Sequence, residues 1–222
     1  MTEVIDVKRS ILEANEAEAA RLRAESTSRL VVNLISSPGS GKTTLLEATV
    51  RAMSSRFSIG VIEGDIATER DAMRLRALGV PAYQILTGGA CHLDARQIRK
   101  AMQEARFPTN LDFLFIENVG NLICPTSYDL GEDFKVVVLS VTEGEDKPFK
   151  YPAIFSRASV CVLSKVDLLP HVSFDLDAVR GQVASLHPCG RLLLTSARTG
   201  EGIAEWCSML EGALLQKRFV TR

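Results

Sequence analysis

The chain predicts an α/β fold: a doubly wound, mostly parallel sheet with helices on both faces. Three observations carry that expectation. From Leu30 onward, apolar runs of strand length alternate with helical stretches. Several runs, among them LVVNLIS and VVVLSV, are nearly continuous in apolar character, as strands covered on both faces require. The third is a strand, small-residue loop and helix start around Ser36–Thr43, an arrangement that places ligands at the carboxyl ends of strands. At 222 residues, 46% of them apolar, the chain is long enough for one good core.

Residues 3–27 have helical spacing, with Val4, Val7, Ile11 and Ala14 recurring at three and four, and predict a helix packed across the domain's edge. Strands follow near 30–36, 58–63, 82–86, 111–117, 134–141, 158–164 and 191–195. Helices are expected near 42–56, 68–78, 93–106, 175–186 and 201–216. The expected organisation is an N-terminal helical extension over 1–28 and one P-loop nucleotide-binding domain over 29–222.

Bulk properties narrow the function. A net charge of −1 gives no support for nucleic-acid binding, and no polybasic stretch points to a membrane surface. No apolar run approaches the roughly 20 residues of a membrane helix, and the charged N-terminus lacks the apolar centre of a secretory signal. Five cysteines without a repeated framework fit free thiols in a reducing compartment, so a cytoplasmic location is expected.

The segment Ser36–Thr43 matches the phosphate loop GxxxxGK[ST] except that Ser36 replaces the first glycine. Gly39, Ser40 and Gly41 let backbone N–H groups turn towards phosphate oxygens, and the helix N-terminus that Thr44 helps to form adds partial positive charge. Lys42 would bridge the β- and γ-phosphates, while the Thr43 hydroxyl would hold Mg²⁺. In VCVLSKVDLL, Ser164–Asp167 resembles the NKxD guanine motif: Asp167 can accept the two guanine edge N–H groups, and the Lys165 stem can lie along the base. Ser164 stands where that motif has asparagine. Ser196 and Ala197, in LLLTSARTGEG, resemble the loop that meets guanine O6.

In LFIENVGNLICP, Glu117–Gly120 has the ExxG form of a metal-and-γ-phosphate segment, with Glu117 orienting a metal-bound water and the Gly120 N–H meeting the γ-phosphate. Asn121 stands where many regulatory GTPases keep a glutamine, so hydrolysis is expected to be slow. Asp65 has two readings: a second Mg²⁺ or water-aligning acid, or an acid favouring a helix N-terminus. Lys42, Asp65 and Glu117 are thus the candidate catalytic residues, and Thr43, Asp65 and Glu117 the candidate Mg²⁺ set.

Cys91 and His92 follow two glycines and precede a helix; Cys124 ends the stretch just quoted. Thiolate and imidazole suit Ni²⁺ or Zn²⁺. Three ligands are too few for a closed tetrahedral site, and a twofold axis nearby would double them. The other reading of Cys124 is a small buried hydrophobe. Cys161, His171, His187, Cys189 and Cys207 lack a partner at metal spacing and read as structural or solvated.

The stretches SSPGSGKTTLLE, GGACHLDA, IENVGNLICP, SVTEGEDKPFKYP and SKVDLLP together resemble the HypB family of hydrogenase-maturation GTPases, in order and from about residue 30 to the end. The UreG family of urease accessory GTPases is the alternative. The resemblance implies a GTP/GDP-dependent homodimer with a transition metal between subunits on Cys91, His92 and Cys124. It also implies that Lys150 reaches the neighbouring subunit's nucleotide; by itself this residue reads as a solvated lysine. A HypA-like nickel accessory protein and a hydrogenase large subunit are the implied partners. No Cys or His precedes Cys91, so a histidine- or cysteine-rich nickel store is not expected. Two readings outside the resemblance are a P-loop small-molecule kinase and a non-enzymatic metal carrier.

Overall fold

The structure, a computed structural model, describes residues 7–66 and 68–220. Its strands are β1 (Leu30–Ser36), β2 (Ile59–Asp65), β3 (Ala82–Leu86), β4 (Phe113–Glu117), β5 (Phe134–Ser140), β6 (Val160–Ser164) and β7 (Arg191–Leu194). They form one sheet in the order β3-β2-β4-β1-β5-β6-β7. Every neighbouring pair is parallel, so the sheet expected to be mostly parallel is wholly so among the described residues. All carboxyl ends therefore share one edge, where Ser36, Asp65, Glu117 and Ser164 end their strands.

Helices α1 (Val7–Glu25), α2 (Lys42–Met53), α3 (Arg70–Arg76), α4 (Ala95–Glu104), α5 (Lys147–Lys150), α6 (Pro152–Arg157), α7 (Leu176–Leu186) and α8 (Ile203–Val220) make the connections and cover the faces. One apolar layer joins α2 and α8 to the sheet around Phe113, Phe115 and Trp206. The fully buried Trp206 stays satisfied because its indole N–H donates to Thr49 Oγ1 at 2.9 Å. A second layer brings Ile154 and Phe155 of α6 and Val179 of α7 onto β5 and β6, and a third brings α1 and α4 onto β1, β2 and β4. Cys161 and Cys207 are buried in these layers, as expected.

Two sequence expectations change. No helix is expected from the sequence between 134–141 and 158–164, yet α5 and α6 lie there, each with a proline in its first turn, where a missing N–H costs nothing. For α1, the expected stripe of Val4, Val7, Ile11 and Ala14 is not buried where it is described. Val4 and the Val7 side chain lie outside the described residues, and Ile11 and Ala14 are exposed. The buried face is Asn15, Ala19, Leu22 and, just past the helix, Ser26. A polar residue decides the rotation: Asn15 accepts from the Ala95 N–H at the start of α4 and donates to the Asp129 carbonyl, both at 2.8 Å.

Candidate functional site

The loop between β1 and α2 turns through left-handed backbone at Gly39 (φ 78°) and Gly41 (φ 94°), conformations that suit glycine. Ser36, the departure from the phosphate-loop pattern, ends β1 fully buried and accepts from Lys42 Nζ at 2.7 Å. Gly39, Gly41, Lys42, Thr43, Thr44, Asp65, Glu117, Gly120 and Lys165 line one cleft of about 460 Å³. Ser40 is buried behind it, its hydroxyl donating to the Ser37 carbonyl. Gly120 is required by proximity: a Cβ there would lie 2.9 Å from Pro38 Cγ and 3.0 Å from Pro38 N. The phosphate loop and the segment after β4 thus touch directly.

Glu117 accepts from Thr43 Oγ1 at 3.0 Å and lies 3.9 Å from Lys42 Nζ. The register pairs Glu117 with Glu63 on β2, a residue not singled out in the sequence. Burial, with Glu117 alongside, holds the Glu63 carboxyl well above the usual carboxylate range. Burial raises Glu117 too, opposed by the positive charge of Lys42. Glu63 Oε1 and Glu117 Oε2 are buried without a hydrogen-bond partner. A divalent cation with oxygen ligands would satisfy both, so the residues present fit Mg²⁺.

Asp65 ends β2 and accepts the Thr68 N–H at 2.9 Å; α3 starts only at Arg70, with Glu69 as its cap residue. Asp65 lines the cleft and lies five residues before α3 begins, which favours the cleft reading over the helix-terminus one. Arg74 of α3 also lines the cleft, held by Glu47 and Asp71 at 3.0 Å each, and was not singled out in the sequence.

A second cavity of about 320 Å³ adjoins the first through Gly41, Thr44 and Lys165, and is lined further by Ser164, Asp167, Ser196 and Ala197. Ser164 Oγ donates to the Ser40 carbonyl at 2.6 Å, and Lys165 Nζ to the Gly39 carbonyl at 2.7 Å. Asp167 accepts from Ser196 Oγ at 2.6 Å. The serine in place of asparagine thus ties β6 to the phosphate loop. Lys150, in contrast, stands apart from both cavities, exposed on α5 and ion-paired with Asp146.

Ligand atoms of Cys91, His92 and Cys124 lie within 4.8 Å of one another. Two loops make this cluster, one after β3 and one after β4, strands that flank β2 in the sheet, with Cys124 entering through the 3₁₀ turn Cys124–Ser127. Cys124 beside it pushes the Cys91 thiol up, as does burial, while burial lowers His92 and favours its neutral form. The His92 ring lies over Tyr128, centroids 3.9 Å apart. Leu93 anchors the loop: it is fully buried, and a Cβ on Gly64 would stand 2.8 Å from its Cδ1. Of the other cysteines and histidines, Cys189 and His171 are exposed and His187 Nδ1 meets the Ala158 carbonyl at 2.8 Å, in keeping with structural or solvated roles.

The all-parallel sheet and its phosphate loop define a P-loop NTPase. A family model described as "CobW/HypB/UreG, nucleotide-binding domain" matches residues 30–193. A hydrogenase maturation factor HypB from Azotobacter chroococcum mcd 1 is 48% identical over 97% of this chain and 72% of its own length. A hydrogenase/urease maturation factor HypB from Helicobacter hepaticus is 45% identical over 93% of this chain and 87% of its own. A crystal structure of HypB from Helicobacter pylori in complex with nickel superposes with TM-score 0.86 at 38% identity, covering 92% of this chain and 97% of that one. The chain belongs to the CobW/HypB/UreG family, and within it to the HypB hydrogenase maturation factors.

Proposed function

We propose that this chain is a slow GTPase that carries nickel during hydrogenase maturation, binding the ion between two copies of itself in the GTP form. The observation that carries the reading is one short segment. Glu117 opens it in the phosphate cleft and Cys124 closes it in the sulfur–imidazole cluster. The nucleotide-binding unit is 29–222, with 1–28 as an extension whose helix α1 packs on α4.

In this reading the phosphate loop of Gly39, Ser40 and Gly41 wraps the β-phosphate, and Lys42 leaves Ser36 to reach the γ-phosphate. Asp167 takes the guanine edge N–H groups, held in place by Ser196; the Ala197 backbone meets O6, and Lys165 lies along the base. Thr43, Asp65 and Glu117 hold Mg²⁺, with Glu63 behind Glu117; the ion supplies charge neutralisation between the phosphates. Asp65 and Glu117 align the attacking water, and the Gly120 N–H marks the presence of a γ-phosphate. With Asn121 in place of a longer amide, the water is loosely placed and turnover is slow. Lys150 acts on the neighbouring copy's nucleotide, consistent with its distance from the cleft of its own chain.

Nickel is the cargo. Each copy offers two thiols and an imidazole, and a second copy completes the coordination; Zn²⁺ suits the same donors. Hydrolysis releases the segment from Glu117 to Cys124 and lowers metal affinity, so the ion passes to a HypA-like partner or the hydrogenase large subunit. No helix among the described residues is long and apolar enough to cross a membrane, and a cytoplasmic site of action is part of this proposal. Delivery to urease is a second reading, favoured by the Helicobacter hepaticus relative with a double role in its name.

The test measures oligomeric state, bound nickel and phosphate release together, with GDP and with a non-hydrolysable GTP analogue. Dimers with stoichiometric nickel in the analogue, lost on Cys124→Ala, are expected. Equal nickel affinity in both forms overturns the coupling, phosphoryl transfer to a metabolite favours a kinase, and absence of turnover in the metal-loaded dimer favours a passive carrier.

A further inference from the structure

One side chain on the wall of the phosphate cleft, Asn118, also reaches the Cys91–His92 loop. Asn118 is 1% exposed and directly follows Glu117. Its Oδ1 accepts from two backbone groups at once: Val119 N–H at 3.0 Å and Leu93 N–H at 3.2 Å. Val119 precedes Gly120, and Leu93 follows His92. Its Nδ2 donates to Asn33 Oδ1 at 3.3 Å, and Asn33, buried in β1, donates in turn to Glu132 Oε1 at 3.3 Å. A second amide lies three residues on, where Asn121 Nδ2 donates to the Cys91 carbonyl at 3.3 Å and its Oδ1 accepts from Ile123 N–H at 2.8 Å.

We infer that Asn118, seconded by Asn121, is the positioning residue that transmits nucleotide state to the Cys91–His92 loop; this rests on the coupling proposed above. One oxygen is shared between the two segments, so they cannot move independently without leaving a buried N–H unpaired, which is expensive in a dry interior. When Val119–Gly120 turns towards a γ-phosphate, the Val119 bond to Asn118 changes, and the Leu93 N–H must follow the same acceptor. The Leu93 side chain is seated closely on Gly64. The displacement falls on His92 and Cys91, the two residues immediately before it. Cys124 moves with its own segment, so both halves of the cluster respond to one event. Asn33 fixes the amide from the β1 side, which keeps Oδ1 aimed at both donors.

The experiment is a competitive Ni²⁺ titration of the whole chain loaded with GDP or with a non-hydrolysable GTP analogue. It compares the unsubstituted protein, Asn118→Ala and Asn121→Ala, alongside nucleotide affinity and thermal midpoint. The unsubstituted protein should bind Ni²⁺ at least about fivefold tighter with the analogue, the lower end of common coupling. Asn118→Ala should bring that ratio close to one while GDP affinity stays within about twofold, and Asn121→Ala should reduce it in part. A merely structural amide would lower stability yet leave the ratio alone, and that result overturns the inference. A ratio of one in the unsubstituted protein overturns the coupling itself, which separates the two failures. Should Asn118→Ala not fold, hydrogen exchange at the Leu93 amide of the unsubstituted protein decides: protection that differs between nucleotides supports the link, and equal protection refutes it.

Discussion

The two ends of the nucleotide cleft are built differently. At the base end, polar side chains already have protein partners: Asp167 holds Ser196, Ser164 holds the Ser40 carbonyl and Lys165 holds the Gly39 carbonyl. At the phosphate end, Glu63 Oε1 and Glu117 Oε2 are buried without partners, and the sulfur–imidazole cluster just beyond brings three ligand atoms together. The first end is a finished surface, formed whether or not a base is present. The second is costly to ionise, its two buried carboxyl groups set side by side on adjacent strands and raised by burial, and positive charge favours their ionised form. Specificity is stored where groups are satisfied, and responsiveness where they are not.

The largest blow to this contrast should come from Lys42→Ala, which removes the cation nearest the carboxylate pair. Turnover should fall by about a hundredfold or more in single-turnover phosphate release, the usual scale for a lost charge-stabilising group. Turnover within threefold of the original would mean that the phosphate end does not depend on that charge. Next, Asp167→Asn should cost roughly a hundredfold in GTP affinity by reversing a hydrogen-bond acceptor. It should move preference towards xanthosine triphosphate, whose edge offers an acceptor where guanine has an amino group. Competition between the two nucleotides reads this directly, and unchanged preference would place the base elsewhere.

The cluster should announce its unfinished character through pH. Because Cys91 is raised by its Cys124 neighbour and by burial, its proton must leave when nickel binds. Affinity should therefore weaken as pH falls, by about tenfold or more per unit on the acid side of the thiol range. Titrations at several pH values check the slope, and a flat profile would exclude thiolate ligation. The smallest effect belongs to the finished end. Ser164→Ala removes one neutral hydrogen bond to the phosphate loop and should weaken GTP by about 1 kcal/mol, roughly fivefold. A loss as large as that of Asp167→Asn would mean that Ser164 meets the nucleotide itself.

Much of this was legible in the chain, for definable reasons. The strand runs and the phosphate loop are local signals, and Cys91, His92 and Cys124 stand out by chemistry alone. Glu63 did not, since an acid inside VIEGD becomes significant only when the register sets it beside Glu117. Asn118 was hidden similarly: its importance lies in reaching Leu93, 25 residues away in sequence. The rotation of α1 was misread because Ile11 is more apolar than Asn15, whereas the buried amide bonds of Asn15 outweigh that difference. Ser164 could be seen as a departure, but its bond to the Ser40 carbonyl could not.

The uniform direction of the seven strands leaves the amino-terminal edge of the sheet free of this chemistry. The turn leading into β7 lies there and carries Cys189, an exposed thiol on the far rim from Cys91 and Cys124. A dye or surface tether attached at Cys189, with Cys91 and Cys124 covered by nickel and Cys161 and Cys207 buried, would leave the opposite rim unencumbered. Subunit pairing could then be watched on single molecules without a mutation anywhere in the chain.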